Sequence, residues 1–99
     1  MVKVFVYGIL VGRYNGVPAI LEGYEKFFRG HATIRRNEEY FVRGELIDVS
    51  EETLAEFDRI EGVAVGYYHR FKTTVFTLDE EPHKDVWVYQ QCEDKEDDA

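Results

Sequence analysis

The sequence predicts an α+β fold, as a sheet or a small barrel, on three observations. Several apolar runs of strand length are separated by turn residues. Only one segment, residues 50–62, carries both a clear helix start and a clear helix stop. The chain is 99 residues long, which allows one domain. A chain of this size buries roughly two-thirds of its unfolded surface, enough for one modest core. The material for that core is present: 44% of residues are hydrophobic, with seven Phe, seven Tyr and one Trp.

Taken in order, Val2-Lys3-Val4-Phe5-Val6 is a near-continuous, β-branched apolar run, the pattern of a buried strand. It ends at Tyr7-Gly8. Gly12, Asn15, Gly16 and Pro18 then mark residues 9–18 as a loop. A strand that runs into such a loop can present backbone N–H groups to an anion. Over residues 18–30, Ile20, Leu21, Tyr24, Phe27 and Phe28 follow helical spacing, with Pro18 suited to a first helical position. Gly23 interrupts that pattern, so the expectation is a short helix over residues 18–22 and a strand over about 27–36. Asn37-Glu38-Glu39 reads as a turn. Residues 40–49 read as a long strand in which Gly44 marks a bulge or a close backbone approach.

Ser50 is placed to cap a helix, and Glu51 and Glu52 suit the positive end of its dipole. Leu54, Phe57 and Ile60 form the apolar stripe, and Gly62 is the stop. Glu61 follows Phe57 by four residues and Leu54 by seven, which places a carboxylate on the buried stripe. Asp58 lies near the same face and reads as a structural hydrogen-bonding partner. Residues 63–68 connect to a strand over 71–78, and a loop over 79–84 leads to a returning strand over 85–90.

Charge and residue inventory narrow the chemistry. The chain has 12 basic and 20 acidic residues, a net charge of −8 and a pI of about 4.8. Five acids and one lysine lie between Glu93 and Asp98, so half of that charge sits in an acidic tail. The expected organisation is a domain over residues 1–91 and a disordered tail over 92–99. Arg29, Arg35 and Arg36, alternating with Ala32 and Ile34, read as a solvated strand face, and no nucleic-acid partner is expected. Cys92 is the single cysteine, no apolar run approaches ~18 residues, and no signal peptide opens the chain. A cytoplasmic protein with no membrane partner is the expectation. Ser50, the single serine, is assigned to a cap, which leaves no Ser–His–Asp set. His31, His69 and His83 show no metal-ligand spacing and read as surface residues, so no metal and no cofactor are expected. Carboxylate acid–base chemistry is what the inventory leaves.

Three pieces, in order, carry a family resemblance. Val4-Phe5-Val6-Tyr7-Gly8-Ile9-Leu10 resembles the Tyr-Gly-Thr/Ser-Leu signature of the gamma-glutamylcyclotransferase-like family. Val42-Arg43-Gly44-Glu45-Leu46-Ile47-Asp48-Val49 resembles its Gly-Glu-Leu/Val strand. Phe57-Asp58-Arg59-Ile60-Glu61-Gly62, followed by Tyr68-His69-Arg70, resembles its catalytic helix end and Tyr-x-Arg. Val86-Trp87-Val88-Tyr89 is similar to the family's last strand. The short form looks closer to the gamma-glutamylamine cyclotransferase branch than to the longer glutathione-degrading enzymes.

The resemblance implies a small mixed-sheet β-barrel with one or two flanking helices and a cavity at the end of the first strand. It implies a small-molecule gamma-glutamyl substrate, cyclised to 5-oxoproline with release of an amine. By motif position, Tyr7, Gly8, Ile9 and Leu10 hold the substrate's α-carboxylate and Glu61 is the general acid/base. Tyr68 and Arg70 are further substrate-binding candidates, although a salt bridge on the strand face competes for Arg70. Such a reaction needs no protein nucleophile, because the substrate carries its own amine. Ile9 stands where the family usually has Thr or Ser, and residues 31–44 are short for the family. A non-catalytic relative that binds a small ligand, and an interaction module using the acidic tail, are the alternative readings.

Overall fold

Five strands, β1 (Val2–Val6), β2 (Val17–Arg29), β3 (His31–Val49), β4 (Tyr68–Thr77) and β5 (Pro82–Gln91), and one helix, α1 (Glu51–Glu61), make up the computed structural model, which describes residues 1–92. The acidic stretch from Glu93 onward, expected to be disordered, lies outside the described residues. The strands close into a barrel in the order β1-β3-β2-β4-β5. All neighbours are antiparallel except β1 and β5, whose parallel pairing of Val4 with Trp87 and Phe5 with Val88 closes the ring. This is the expected small mixed barrel, with α1 at its side.

The near-continuous apolar run of β1 is explained by burial on both faces. Phe5 and, just beyond the strand, Tyr7 point into the barrel with Leu21, Ile34, Val75, Val86 and Val88. Val4 and Val6 point outward and are covered by α1 through Leu54 and Phe57, with Ile47, Val49, Tyr68 and Tyr89 in the same cluster. A side-chain period of two across a sheet with a helix on one side requires this pattern.

Residues 18–22 are strand and not the expected helix. Ala19 and Ile20 pair with Thr77 and Phe76 of β4, and the other edge of the segment runs along β3. The misleading helical spacing has a specific cause. The β2–β3 ladder passes from Glu22↔Phe41 to Tyr24↔Arg36, so two steps on β2 face five on β3. Ala19 and Leu21 face inward before this irregularity, and Tyr24 packs against the barrel core after it. A change of parity at Gly23 therefore imitates a 3.6-residue period. The surplus residues on β3 fall at Asn37-Glu38-Glu39, where Asn37 Oδ1 accepts the Glu39 N–H at 3.2 Å. The turn expected there is a local irregularity inside one continuous strand, and the chain reverses instead at Gly30, between Arg29 and His31. Gly44 marks a close approach, as expected. A Cβ there would stand 2.2 Å from the Val6 carbonyl oxygen and 2.8 Å from the Phe5 ring.

The capping residues of α1 behave as the sequence predicts. Ser50 Oγ accepts the Thr53 N–H at 3.0 Å. Gly62 takes a left-handed conformation with φ of 71°, and its N–H and that of Val63 close onto Arg59 and Asp58. A side chain at Gly62 would be strained and would strike the Tyr67 ring at 2.7 Å. The helix thus stops directly after Glu61. Ile60, expected on the buried stripe with Leu54 and Phe57, is exposed: the stripe rotates away from the barrel wall in the last turn. Among the described residues, no helix is long and apolar enough to cross a membrane.

Candidate active site

At the end of β1 the barrel opens into a cavity of about 940 Å³. Tyr7, Gly8, Ile9 and Leu10 form one wall, Ile60 and Glu61 another, and Tyr67, Tyr68 and Tyr89 a third. The cavity thus brings together six of the seven residues named from the sequence: Tyr7, Gly8, Ile9, Leu10, Glu61 and Tyr68. Arg70 is not among the lining residues. Its guanidinium grips Asp58, with Nε 2.9 Å from Oδ1 and Nη2 3.1 Å from Oδ2, and lies 4.2 Å from the Trp87 ring centre. The salt bridge weighed against substrate binding is therefore what the structure contains, because Arg70 projects from β4 toward the flank of α1 and not toward the barrel mouth.

Asp58 also accepts the Tyr89 hydroxyl at 2.6 Å. Burial opposes its charge, but the hydrogen bonds from Arg70 and Tyr89 and the Arg70 charge outweigh burial and hold the carboxyl below its ordinary range. Burial first, and then the bond to Asp58, push the Tyr89 phenol far upward. This network pins β4 and β5 to α1 and so fixes the helix end that carries Glu61.

Glu61 is in a different state. Its carboxylate makes no hydrogen bond or ion pair among the described residues. Burial pushes its pKa up, with the charge of nearby His31 acting in the opposite direction. A half-desolvated carboxylate without a protein partner is available to take and return a proton. The tyrosines around it are held. Tyr68 Oη donates to the Ala32 carbonyl at 2.7 Å, and Tyr7 Oη donates to the Tyr89 carbonyl. Burial, together with the neighbouring Tyr68 and Glu61 charges, keeps the Tyr7 phenol protonated.

The loop after β1 is fixed at its far side, where the Gly12 N–H donates to Glu45 Oε1 at 2.8 Å and the Val11 N–H to the Gly8 carbonyl at 3.1 Å. The N–H groups of Gly8, Ile9 and Leu10 donate to no group among the described residues. A Cβ at Gly8 would meet only Ala32 Cβ, at an ordinary 3.6 Å, so the fold itself does not demand glycine there.

Sequence reasoning missed Lys26, and it read His31 only as a surface residue. Lys26 and Phe28 reach the cavity because the parity change at Gly23 turns even-numbered residues of β2 inward. Lys26 Nζ stands 3.3 Å from the Tyr7 carbonyl oxygen and has no carboxylate partner among the described residues. Arg29 also lies along the cavity, with Nε donating to Gln91 Oε1 at 2.8 Å. Arg35 and Arg36, adjacent on β3, project from alternate faces of the strand: Arg35 stacks over Phe27 and Arg36 over Tyr24, and both are exposed to solvent. Among the described residues, the charged ones lining the cavity are Lys26, Arg29 and Glu61, two cations and one carboxylate. Among the described residues, no three His, Cys, Asp or Glu side chains gather closely enough to hold a metal ion.

The family signature described as gamma-glutamyl cyclotransferase, AIG2-like, matches residues 4–99. The chain belongs to this family. Its fold is shared by a solved structure described as gamma-glutamyl cyclotransferase, with a TM-score of 0.79 at 18% identity over 91% of this chain and 66% of that one. A protein from Arabidopsis thaliana superposes with a TM-score of 0.78 at 30% identity, over 91% of this chain and 61% of that one. A protein from Pyrococcus horikoshii superposes with a TM-score of 0.66 at 18% identity, over 92% and 78%. This member of the family spans just under two-thirds of the gamma-glutamyl cyclotransferase structure. No protein of curated function matches its sequence.

Proposed function

We propose that the chain is a gamma-glutamyl cyclotransferase with Glu61 as general acid/base. The observation that carries this reading is the pairing, in one cavity, of a partly desolvated Glu61 and a loop of N–H groups that have no partner among the described residues. The two ends of a gamma-glutamyl group have the matching chemistry. Its α-carboxylate sits at the N–H groups of Gly8, Ile9 and Leu10, with the Lys26 ammonium supplying positive charge at the start of the loop. Its α-amine and γ-amide lie toward Glu61.

In the reaction the α-amine nitrogen bonds to the γ-carbonyl carbon, and the original amide C–N bond breaks. Glu61 takes the proton from the attacking nitrogen and delivers it to the departing one, so 5-oxoproline and a neutral amine form without water or cofactor. Ring closure within one molecule gains from being held in a near-attack geometry, worth up to ~7–11 kcal/mol in favourable cases. Tyr7, Tyr68 and Tyr89 supply a rigid wall for that purpose, since their hydroxyls are tied to carbonyls or to Asp58. Raising the Glu61 pKa makes it the stronger base.

The deciding experiment incubates the chain with gamma-glutamyl amides and dipeptides and follows 5-oxoproline by mass spectrometry. Release that depends on Glu61 is expected. Binding of these compounds without any 5-oxoproline would replace this reading by that of a non-catalytic ligand-binding relative, which the apolar, exposed Ile9 in the binding loop favours.

A further inference from the structure

The mouth of the cavity carries an apolar surface that the gamma-glutamyl group does not use. Ile9 is 69% exposed, Phe28 74%, Ile60 58% and Tyr67 60%, and all four line the same cavity. They arrive from four parts of the chain: the loop after β1, the end of β2, the end of α1 and the segment before β4. Single exposed apolar residues are ordinary, but several converging on one opening mark a binding surface. The nearby cations are engaged by other groups: Lys26 Nζ, 5.9 Å from the Phe28 ring centre, reaches the Tyr7 carbonyl oxygen, and Arg29 Nε donates to Gln91. A volume of about 940 Å³ is at the upper end of ligand pockets, which run ~300–1,000 Å³, and leaves room beyond a glutamyl group.

Resting on the cyclotransferase reading, we propose that this rim is a leaving-group subsite that selects gamma-glutamyl amides of apolar amines, branched alkyl or aromatic, over those of charged or amino-acid leaving groups. The substrate's carboxylate end faces the loop and Lys26, its reacting amide faces Glu61, and its amine substituent emerges between Phe28 and Ile60.

The test uses glutaric acid mono-benzylamide, mono-methylamide and the mono-amide of glycine. These keep the carboxylate and the amide but lack the α-amine, and so cannot cyclise. Each is titrated calorimetrically into the wild type, the Phe28→Ser/Ile60→Ser double variant and Leu78→Ser, an exposed apolar control outside the cavity. The corresponding gamma-glutamyl amides are assayed in parallel for 5-oxoproline. The benzylamide is expected to bind at least ~10-fold more tightly than the methylamide, a ratio typical of an apolar subsite. That ratio should collapse toward one in the double variant and persist in Leu78→Ser. Because Phe28 and Ile60 are exposed, the double variant is expected to fold, which circular dichroism checks. Equal binding of benzyl and methyl probes, tighter binding of the glycine amide, or an unchanged ratio in the double variant would overturn the subsite. If the benzyl preference holds but no gamma-glutamyl amide yields 5-oxoproline, the cyclotransferase reading falls and the subsite stands. If both amides cyclise with equal kcat/KM and the probes bind equally, the subsite falls and the reading stands.

Discussion

Replacing Glu61 by Gln keeps the size of the side chain and removes only its charge and basicity. A positioned general base contributes ~10²–10⁴ in rate. The lower bound corresponds to about 2.7 kcal/mol of transition-state stabilisation, at 1.36 kcal/mol per tenfold. The structure adds a second, opposite expectation. Glu61 has no hydrogen-bond or ion-pair partner among the described residues to lose, and burial raises its pKa. A carboxyl whose folded pKa lies above its unfolded value stabilises the fold at low pH and loses that contribution as pH rises through the folded pKa. At neutral pH the charged side chain therefore works against folding, and Gln relieves it. Glu61→Gln is expected to lower kcat at least ~10²-fold while the melting temperature stays level or rises. The wild-type pH–rate profile should climb through an apparent pKa above the ordinary carboxylate value of ~4.3, and the variant should lack that limb. The assays are 5-oxoproline release, calorimetric melting and retained binding of glutaric acid mono-benzylamide. A variant that cyclises at near wild-type rate would refute the assignment of Glu61 as base. A fall of several degrees in melting temperature would show instead that the carboxylate has a structural partner.

Asp58→Asn should act on stability, because Asp58 accepts from Nε and Nη2 of Arg70 and from the Tyr89 hydroxyl. Lost hydrogen bonds to a charged group predict about 1.5–3 kcal/mol by chemical denaturation. Asp58 has a depressed pKa, so its contribution is present above its unfolded value of ~3.9 and is lost as pH falls through the folded one. The stability gap between wild type and variant should therefore narrow in acid; a gap that is constant down to that limit would refute the pairing. Lys26→Met should raise KM by about fivefold, the scale of a largely solvated charge pair, with the effect shrinking at high salt. A loss confined to kcat would place Lys26 in the chemistry and not at the carboxylate. Gly44→Ala forces a methyl against the Val6 carbonyl and the Phe5 ring. It should cost about 1–3 kcal/mol in a denaturant titration, and an unchanged midpoint would mean that β1 and β3 can move apart freely.

Local rules were sufficient for much of this molecule. The Ser50 cap, the acids after it and the stop at Gly62 define α1 because they concern contacts within a few residues. The apolar run of β1 and the loop after it were readable for the same reason, and the helix end set Glu61 on the same stripe as Phe57. The order of the Tyr-Gly-Ile-Leu loop, the Gly-Glu-Leu strand and the Ile-Glu-Gly helix end carries the family resemblance in the sequence itself. What only the tertiary structure decided depends on pairing between distant residues. The irregularity opposite Gly23 exists only because β2 lies against β3, and it alone turns Lys26 and Phe28 into the cavity and makes a strand look like a helix. The parallel closure of β1 on β5, the proximity of His31 to Glu61 and the capture of Arg70 by Asp58 likewise join segments far apart in sequence. A one-residue change of register inverts which side chains face the barrel, and no local propensity records that change.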